Sequence, residues 1–562
     1  MHWEKRTKRT SGQKRQTKEI NNKEIRAMVG TFLLYAVLSG LMLALGWLSW
    51  STPAFIFVAF VPLWVAAYKL FRAQARHAFA VLWLITFTAF LTWNVVDTFW
   101  LRNSTWLGFV AAALLNAAFV TVVTMAGFWV ARRRGFLLGM IFWAALWISF
   151  EKLHSEWDLA WPLLTLGNGF ARYAGFVQWY EYTGVFGGSL WVLAANIVAF
   201  YAWKAYAGQS PREVLYRRIG VFAGVVVLPM LLSWAVTPRG DAPKDSRSIE
   251  AIALQPNIDP YGEKFTTATD SAMAARMFEM VDTLLDPQVR LIAAPETYLS
   301  QYKQVDSPGR YPVFDTLRAF SARNGGLTVV TGSSFVRYFY DETSVTPTAN
   351  RSRYGDFWYD VYNSAVQIDT QGMDRYEKSK LVPGVECFPF RSVLEGVLGD
   401  IMIDMGGMAG SNVTQDDREV FVSQGGTMRL APIICYEALF GEFVAGYVRK
   451  GANALCIITN DGWWGNTEGH RQMLWIARLR AIETRLPIIR SANTGVSAFL
   501  TPDGRITGVI PYGQQGALRG TLVLAERKPT FYVRHGDYIP RVAVWVAAGL
   551  LLFSVLPGRR KR

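Results

Sequence analysis

Long apolar runs place the strongest constraint on how this chain can fold. We identify eight runs that are long enough to cross a bilayer as helices. They lie at residues 28–48, 53–71, 78–100, 106–131, 135–151, 184–203, 219–236 and 541–557. Hydrophobic residues make up 51% of the chain and charged residues only 18%, which is below the quarter usual for soluble domains. The sequence therefore predicts a polytopic α-helical membrane domain with eight spans.

Basic residues between the spans predict their orientation, because cytoplasmic loops are enriched in Lys and Arg. Every basic cluster falls on the same side of the predicted membrane as the basic tail at residues 1–27. The clusters are Lys69, Arg72 and Arg76; Arg132, Arg133 and Arg134; Lys204, Arg212, Arg217 and Arg218; and Arg559, Arg560, Lys561 and Arg562. Both termini are therefore predicted to be cytoplasmic. The same placement favours a solvated arm over nucleic-acid binding, although the net charge is +15.

The predicted organisation has four parts. A basic tail at 1–27 precedes a membrane domain of seven spans at 28–236, and an extracytoplasmic domain at 237–540 precedes the eighth span and a basic tail at 541–562. Within 237–540, short apolar runs such as VRLIAAP, GLTVVTGSS and LCIITN alternate with helix-like segments at 270–285 and 470–485. This alternation is typical of an α/β domain with largely buried strands.

Cys435 stands where one of these buried runs ends, in the sequence LAPIICYEALFGEF. A thiol at the end of a buried strand is well placed for a nucleophile, because the strand fixes it and the turn exposes it. The following backbone N–H can then face a developing oxyanion. The alternative interpretation is that Cys435 is a small buried hydrophobe, as most free cysteines are.

Two upstream motifs supply groups that suit the same chemistry. Glu296 ends the run LIAAPET, and the segment YEKSKLVPGVE supplies Lys378 and Glu386. A carboxylate, an ammonium and a thiol at three strand ends can assemble an acyl-transfer site. The carboxylate moves the proton, the thiolate attacks, and the ammonium neutralises the oxyanion. Taken singly, a Glu or a Lys after a strand also fits solvated surface.

The other cysteines and the histidines predict no metal and no cofactor. Cys456 lies inside the apolar run ALCIITN and fits a core position, and no motif gives Cys387 a role. The three cysteines have no CxxC spacing, and the five histidines form no ligand motif.

Three further segments fit more than one interpretation. The aromatic-rich connector at 151–182 is either an interfacial belt or the lining of a route for lipid chains. Trp463 and Trp464, in NDGWWGN, either shape a lipid-facing pocket that binds substrate or pack in the core. The glycines and methionines of 402–414 suggest a mobile lid.

The motifs together resemble those of the nitrilase, or carbon–nitrogen hydrolase, superfamily. They are IALQPNID, APET, YEKSKLVPGVE, IICYEALFGE, NDGWWGNTEGHRQMLWIARLRAIET and RSANTGVSAFLTPDGRI, in that order. With WPLLTLGN before span six and FYVRHGDYIP before the last span, the chain is similar to the apolipoprotein N-acyltransferase family from its first span to its last. This resemblance implies an αββα sandwich for the α/β domain.

The resemblance also implies residue roles. Glu296 would be the general base, Lys378 the oxyanion stabiliser and Cys435 the nucleophile. Lys378 is preferred to Lys380 because it holds the family's Tyr-x-Lys position, eight residues before Glu386.

Glu386, Glu437 and Tyr436 would support or orient this triad. The chain reads LVPGVE where the family more often has LVPFGE, which keeps Glu386 in register but changes the loop around it. From the sequence alone, Glu296, Glu386 and Glu437 all remain candidates to neighbour the thiol.

The function implied by the resemblance is a two-step acyl transfer. Cys435 would take an acyl chain from a membrane phospholipid as a thioester. The α-amine of a diacylglyceryl-modified cysteine, at the N-terminus of an apolipoprotein, would then accept the chain. This is the last step of bacterial lipoprotein maturation, and it implies an inner-membrane protein whose catalytic domain lies on the periplasmic side.

Two other functions fit the sequence less well. A membrane-tethered amidase or nitrilase acting on small C–N substrates would use the same triad, but it has no need of eight spans. A transporter or receptor would carry charges within its spans, whereas only Asp97 and Glu181 lie near span ends.

Overall fold

The computed structural model describes residues 29–75, 77–238, 246–259, 269–352, 354–391, 411–524 and 528–556. The basic tail at 1–27 lies outside the described residues, as do 402–410 of the segment predicted to be a lid. Those predictions therefore stay predictions.

The helices fall into two groups, one in the membrane part and one in the α/β domain. They are α1 (Val29–Ala44), α2 (Val61–Arg72), α3 (Ala78–Thr98), α4 (Trp106–Arg134), α5 (Phe136–Leu153), α6 (Tyr180–Thr183), α7 (Val185–Ala207), α8 (Arg212–Val236), α9 (Asp270–Val281), α10 (Pro312–Arg323), α11 (Gly441–Arg449), α12 (Glu468–Thr484), α13 (Phe531–His535) and α14 (Tyr538–Val555). In the described part of the chain, seven helical segments are long and apolar enough to cross a membrane. Helix α1 is a shorter apolar helix.

Helix α8 begins before the apolar run that predicted the seventh span. Arg212, Arg217 and Arg218, which were predicted to precede that span, lie in the first two turns of α8. Pro211 is the N-cap of this helix, and arginine is a good helix former. The helix therefore begins seven residues before the apolar run that was predicted at 219–236.

The α/β domain contains two β-sheets. Its strands are β1 (Arg247–Gln255), β2 (Val289–Ala293), β3 (Leu299–Gln304), β4 (Thr328–Phe339), β5 (Asn350–Arg351), β6 (Trp358–Ile368), β7 (Met373–Glu377), β8 (Phe421–Val422), β9 (Arg429–Ile434), β10 (Ala454–Thr459), β11 (Ile488–Ala492), β12 (Ser497–Leu500), β13 (Ile506–Ile510) and β14 (Gly516–Leu524). The first sheet has the order β14-β1-β2-β4-β6-β5, with β3 beside β4 and β7 beside β6. The second has the order β13-β12-β11-β10-β9-β8.

The two sheets pack face to face with helices outside, which confirms the predicted αββα sandwich. Successive side chains of a strand point to opposite faces. In β1, Ile252 and Leu254 pack in a cluster with α9 and α10, whereas Ala251 and Ala253 belong to the core shared with the second sheet. Small residues on the inner face allow close approach of the sheets.

The second-sheet core continues without a break into the membrane part. One apolar cluster joins residues of α2, α3, α5 and α7 to β9, β10 and α12. The α/β domain is therefore packed directly against the membrane helices, and the site described next lies where the two meet.

Candidate active site

Two predicted site residues lie where parallel strands end. Glu296 follows β2, and Cys435 directly follows β9. The backbone is strained at both places: Cys435 itself has φ +52°, and Thr297, which follows Glu296, has φ +47°. Non-glycine residues occupy this left-handed region at a conformational cost of about 1–3 kcal/mol each. The turn after β9 aims the Cys435 side chain out of the sheet and into a cavity. Cys435 thus lies at the end of a strand and lines this cavity.

A glycine brings the Glu296 loop close to the neighbouring strand. A Cβ on Gly332 of β4 would lie 2.2 Å from the Thr297 nitrogen and 2.6 Å from the Glu296 Cα. The Gly332 N–H donates to the Pro295 carbonyl at 3.1 Å. Only glycine leaves room for this contact, which holds the carboxylate-bearing loop in place.

Lys378 is the centre of a buried charge cluster. Its Nζ lies 3.0 Å from Glu296 Oε1 and 2.8 Å from Glu386 Oε1. Asn363 Nδ2 donates to both carboxylates, at 2.8 Å and 3.2 Å. The Asn460 N–H donates to Glu296 Oε2 at 3.1 Å. Each oxygen of Glu296 is thus held by a donor, and its position is fixed on both sides.

The electrostatics of this cluster fix the resting states of its groups. Burial alone would lower the pKa of Lys378, but the carboxylates of Glu296 and Glu386 raise it well above its ordinary value. Burial and the negative charge of Glu296 raise the pKa of the Cys435 thiol, while Lys378 lowers it. At neutral pH the arrangement therefore holds an ammonium beside a protonated thiol.

Glu296 is the glutamate whose charge acts on the thiol. Of the three candidates, it is the one whose negative charge is a main cause of the raised pKa of Cys435. Glu386 contacts Lys378 at 2.8 Å, and its other oxygen accepts from the Val382 N–H at 2.9 Å. These contacts support Glu296 as the neighbour of the thiol.

Glu437 lies away from the charge cluster and holds backbone instead. Its Oε1 accepts from the Tyr376 hydroxyl at 2.6 Å and from the Ser379 N–H at 2.7 Å, and its Oε2 accepts from the Ile434 N–H at 2.7 Å. Burial raises the pKa of Glu437 to about 7, while these donors lower it. One carboxyl group therefore ties the turn before Cys435 to the segment that carries Lys378.

Cys435 opens into a cavity of about 570 Å³ between the α/β domain and the membrane helices. Glu296, Lys378, Glu386, Trp463 and Trp464 line it on the domain side. The Trp464 ring packs on Trp100 at 5.0 Å, so the second tryptophan also joins the domain to the membrane part. Both tryptophans thus line the cavity into which Cys435 opens.

The opposite wall of the cavity is one face of α4. It is formed by Gly108, Ala111, Ala112, Leu115, Asn116 and Phe119, and Ser104 and Thr105 extend it just before the helix begins. Small side chains lie in the first part of this stripe and larger ones at its end. The cavity is therefore bounded on this side by a helix that is long and apolar enough to cross a membrane.

The aromatic connector is mostly interior. Phe170, Trp179 and Tyr180 are buried against the helices, whereas Trp161 lines the cavity. Tyr436 is buried too, and its hydroxyl donates to the Ala160 carbonyl at 2.7 Å. The connector thus packs against the nucleophile turn and supplies part of the cavity wall.

Cys456 and Lys380 lie apart from the charge cluster, whereas Cys387 directly follows Glu386. Cys456 is fully buried in β10, as predicted for a core residue. Cys387 is half-buried, and burial raises its pKa to about 12. Lys380 lines a different cavity, so the structure brings Lys378 to Glu296 and not Lys380.

Sequence reasoning missed Asn363, the Asn460 N–H and the α4 stripe. Asn363 lies within β6, in a run that reads as an ordinary strand, and only the pairing of β6 with β4 and β7 brings it to Glu296. In an apolar span, small residues on one face do not by themselves indicate the wall of a cavity. The NDGWWGN motif was the signal that could have pointed to Asn460.

Two family profiles match the chain. The profile described as the apolipoprotein N-acyltransferase N-terminal domain matches residues 39–198, and the one described as carbon-nitrogen hydrolase matches residues 251–530. The first covers the membrane helices that build the cavity wall, and the second covers all of the charge cluster.

Proteins named apolipoprotein N-acyltransferase are similar over nearly the whole chain. The one from Chlorobaculum tepidum is 27% identical over 540 residues, which is 94% of this chain and 96% of the relative. The one from Thermotoga maritima is 26% identical, over 95% of this chain and 96% of the relative. A solved Saccharomyces cerevisiae structure of the nitrilase superfamily is 15% identical, covers 57% of this chain and all of its own, and has a TM-score of 0.34.

The fold and the site define a carbon–nitrogen hydrolase domain anchored on membrane helices. The chain matches both profiles, and it matches relatives over nearly their full length, which identifies its family within this class. It belongs to the apolipoprotein N-acyltransferase family.

Proposed function

We propose that the protein transfers an acyl chain from a membrane phospholipid to the α-amine of the N-terminal diacylglyceryl-cysteine of apolipoproteins. One observation carries this proposal. Cys435, beside Glu296 and Lys378, opens into a cavity whose opposite wall is the membrane helix α4. A nucleophile that faces a membrane helix suits a lipid ester as acyl donor.

In the first step, Glu296 takes the proton of the Cys435 thiol, and the thiolate sulfur attacks the ester carbonyl carbon of the phospholipid. The Lys378 ammonium stabilises the oxyanion that forms, together with the backbone N–H that follows Cys435. When the intermediate collapses, the ester C–O bond breaks and Glu296 returns its proton to the leaving oxygen. The products are a thioester on Cys435 and a lysophospholipid.

In the second step, the neutral α-amine of the acceptor attacks the thioester carbonyl. Glu296 takes a proton from the nitrogen as the N–C bond forms. The C–S bond then breaks, and the Cys435 sulfur recovers its proton from Glu296. The product is an amide, and the site returns to its starting state.

The other residues of the site have positioning roles in this proposal. Glu386 holds Lys378 from the side opposite Glu296, at 2.8 Å. Glu437 and Tyr436 fix the turn that carries the thiol. Trp463 contributes an apolar surface beside the thiol for the substrate chain.

We further propose the domain boundaries and the membrane orientation that the apolar runs and the basic clusters predict. In this arrangement residues 28–236 and 541–557 form eight spans of the bacterial inner membrane, and both termini are cytoplasmic. The catalytic domain at 237–540 then lies on the periplasmic side. The position of the α/β domain at one end of α4 and α5 supports this arrangement, since Arg132, Arg133 and Arg134 lie at the other end of α4.

An in vitro assay with a phospholipid and a synthetic diacylglyceryl lipopeptide tests the proposal. Wild-type protein is expected to give N-acylated lipopeptide and lysophospholipid in equal amounts, and Cys435→Ala is expected to give neither. Release of free fatty acid or of ammonia from simple amides, without N-acylated lipopeptide, would instead support an amidase. Full lipopeptide acylation by Cys435→Ala would contradict the proposal.

A further inference from the structure

His154 directly follows α5 and takes no part in the chemistry of the proposed acyl transfer. Its side chain is buried, and its ring stacks on Phe150 with 5.1 Å between the ring centres. The Phe119 ring of α4 lies edge-on to it, at 6.0 Å. These two contacts fix the plane of the imidazole, so its two nitrogens point in set directions.

Trp157 decides which nitrogen of His154 carries a proton. The Trp157 Nε1–H donates to His154 Nδ1 at 2.9 Å, and an indole nitrogen can only donate. His154 Nδ1 therefore accepts and carries no proton. Burial lowers the pKa of His154 to about 4, so the ring is neutral at neutral pH and its single proton lies on Nε2.

This proton sets the orientation of the Asn116 amide on α4. His154 Nε2 lies 3.0 Å from Asn116 Oδ1, so the Nε2–H donates and the amide oxygen accepts. Asn116 Nδ2 keeps both of its N–H donors, and within the described part of the chain it makes no hydrogen bond. The hydrogen bonds from Trp157 through His154 thus leave the amide nitrogen to bind another molecule.

Asn116 lies at the boundary of two cavities. His154 lines a small one of about 30 Å³ and not the cavity of Cys435, whereas Asn116 lines both. Because its oxygen points to His154, the amide nitrogen is on the side of the Cys435 cavity. The other α4 side chains of this wall cannot donate a hydrogen bond; they are Gly108, Ala111, Ala112, Leu115 and Phe119. An amide donor in an apolar wall costs free energy unless a bound molecule supplies the acceptor.

We propose that Asn116 Nδ2 donates a hydrogen bond to a glycerolipid ester carbonyl that the reaction leaves intact. This inference rests on the proposed acyl transfer, because it names a contact to its lipid substrate. Asn116 is level with the end of α5, where a span leaves the hydrocarbon core for the polar interface. The glycerol esters of a lipid lie at this boundary. The wall carries no cation of α4, so it suits a neutral carbonyl better than a phosphate group.

Two lipids of the proposed reaction carry such an ester. The donor phospholipid keeps one ester when the other is cleaved, and the acceptor keeps both esters of its diacylglyceryl group. The chemistry that Asn116 recognises is the same in both, and the tests below separate them.

The first test observes the hydrogen bond directly and needs no turnover. Full-length Cys435→Ala protein in an ester-free detergent binds an equimolar amount of lipid with carbon-13 in its ester carbonyls, and isotope-edited infrared spectroscopy records their stretching band. A hydrogen-bonded carbonyl absorbs at lower wavenumber than a free one. This lower band is expected in Cys435→Ala and should be lost in Cys435→Ala/Asn116→Leu. Labelled phospholipid and labelled lipopeptide are measured in turn, and the lipid that gives the band is the one that Asn116 binds.

The second test compares ester and ether lipids as substrates of acyl transfer. In wild type, replacing the bound ester by an ether should lower kcat/KM about tenfold, as expected for the loss of one hydrogen bond. The ether is placed in the diacylglyceryl group of the acceptor or at the uncleaved position of the donor. Asn116→Leu, which is similar in size, should use ester and ether lipids equally. His154→Phe removes the group that orients the amide and should reduce the ester preference at least threefold.

Thr121→Val is the matched control for these variants. It removes a polar group from the same helix, where the Thr121 hydroxyl donates to the Ala117 carbonyl at 2.7 Å and does not line the cavity. This variant should keep the ester preference of wild type.

Two results would overturn the proposal: the same carbonyl band with and without Asn116, or an equal ester preference in wild type and Asn116→Leu. Formation of acyl-Cys435 and of N-acylated lipopeptide from ester lipids is measured separately. If wild type forms neither product, the proposed function fails and the infrared band still decides the Asn116 contact. If both form and the ester preference does not depend on Asn116, only the contact fails.

Discussion

The α/β domain meets the membrane helices through two surfaces of opposite character. Along α12 the contact is closed and polar: Glu468 binds Ser49, and Arg485 binds Glu181 and Gln178. Across α4 the contact is open and apolar, and the cavity with Cys435 lies between the two parts. The closed surface fixes the domain, and the open one leaves space for a lipid chain at a defined distance from the thiol.

The difference between these two surfaces explains how a hydrolase-like site can act on lipid. Hydrogen bonds to buried donors and acceptors are directional, so the α12 contacts fix the domain in one orientation. Apart from the contact proposed for Asn116, the α4 wall then only has to be apolar. Substitutions on the two surfaces are therefore expected to have different effects: loss of chemistry or substrate binding on one, and loss of stability on the other.

The largest effect is expected at Glu296. Glu296→Gln removes the proposed general base and should lower acyl transfer by about 10²–10⁴-fold. Because the negative charge of Glu296 raises the pKa of Cys435, the same change should increase alkylation of Cys435 by iodoacetamide at pH 8. Rates of lipopeptide acylation and of alkylation measure the two effects. A variant that loses both reactivities would contradict a role for Glu296 as base and would indicate a collapsed site.

An intermediate effect is expected at the α4 wall. Ala112→Trp places a large ring in the cavity, and overpacking that costs about 1–3 kcal/mol corresponds to roughly 5- to 150-fold weaker donor binding. The KM for phospholipid should rise while alkylation of Cys435 stays near wild type. Leu114→Trp is the matched control, since Leu114 is on the same helix, is 44% exposed and does not line the cavity. Equal effects of both changes would show that the α4 wall does not bind the donor.

A smaller effect on activity is expected on the closed surface. Arg485→Gln removes the contacts of 2.8 Å to Glu181 and 2.6 Å to Gln178. Breaking a buried ion pair costs about 3–5 kcal/mol, and the partial exposure of Glu181 places this pair at the lower end. Thermal unfolding should show a Tm lowered by several degrees, with kcat of the folded protein close to wild type. A large fall in kcat with unchanged Tm would reverse the assignment of the two surfaces.

The smallest effect is a pH dependence of stability at Glu437. Burial raises its pKa from 4.5 to about 7 in the folded protein. The folded state therefore binds a proton that the unfolded state has lost between these values. The stability contributed by this proton is full below pH 4.5 and is lost as the pH rises through about 7. The Tm of wild type should accordingly fall between pH 5 and 7 more steeply than that of Glu437→Gln, and parallel profiles would contradict the shift.

The sequence predicted the parts of this account that depend on local pattern. Glu296 and Cys435 could be placed because each follows a short apolar run, and the ends of such strands meet in an α/β domain. Glu437 could be named by motif, but its role could not be predicted. Its hydrogen bonds to Tyr376 and Ser379 depend on how β7 packs against the turn after β9.

The parts that sequence could not predict depend on the distance between separate elements. Asn363 reaches Glu296 across 67 residues of chain. Arg485 is bound to the connector at Glu181, 304 residues earlier, and nothing in either segment signals the other. The start of α8 could not be predicted for a different reason, since an apolar run marks where a helix is buried in lipid and not where it begins.

The central claim is that Cys435 carries the acyl chain, and the mass of the intact protein after incubation with phospholipid tests it most directly. Without acceptor, wild type should gain the mass of one acyl chain, which hydroxylamine removes and which peptide mapping places on Cys435. Addition of the lipopeptide should return the protein to its original mass. The account would be contradicted by lipopeptide acylation without this adduct, or by an adduct on another residue such as Cys387.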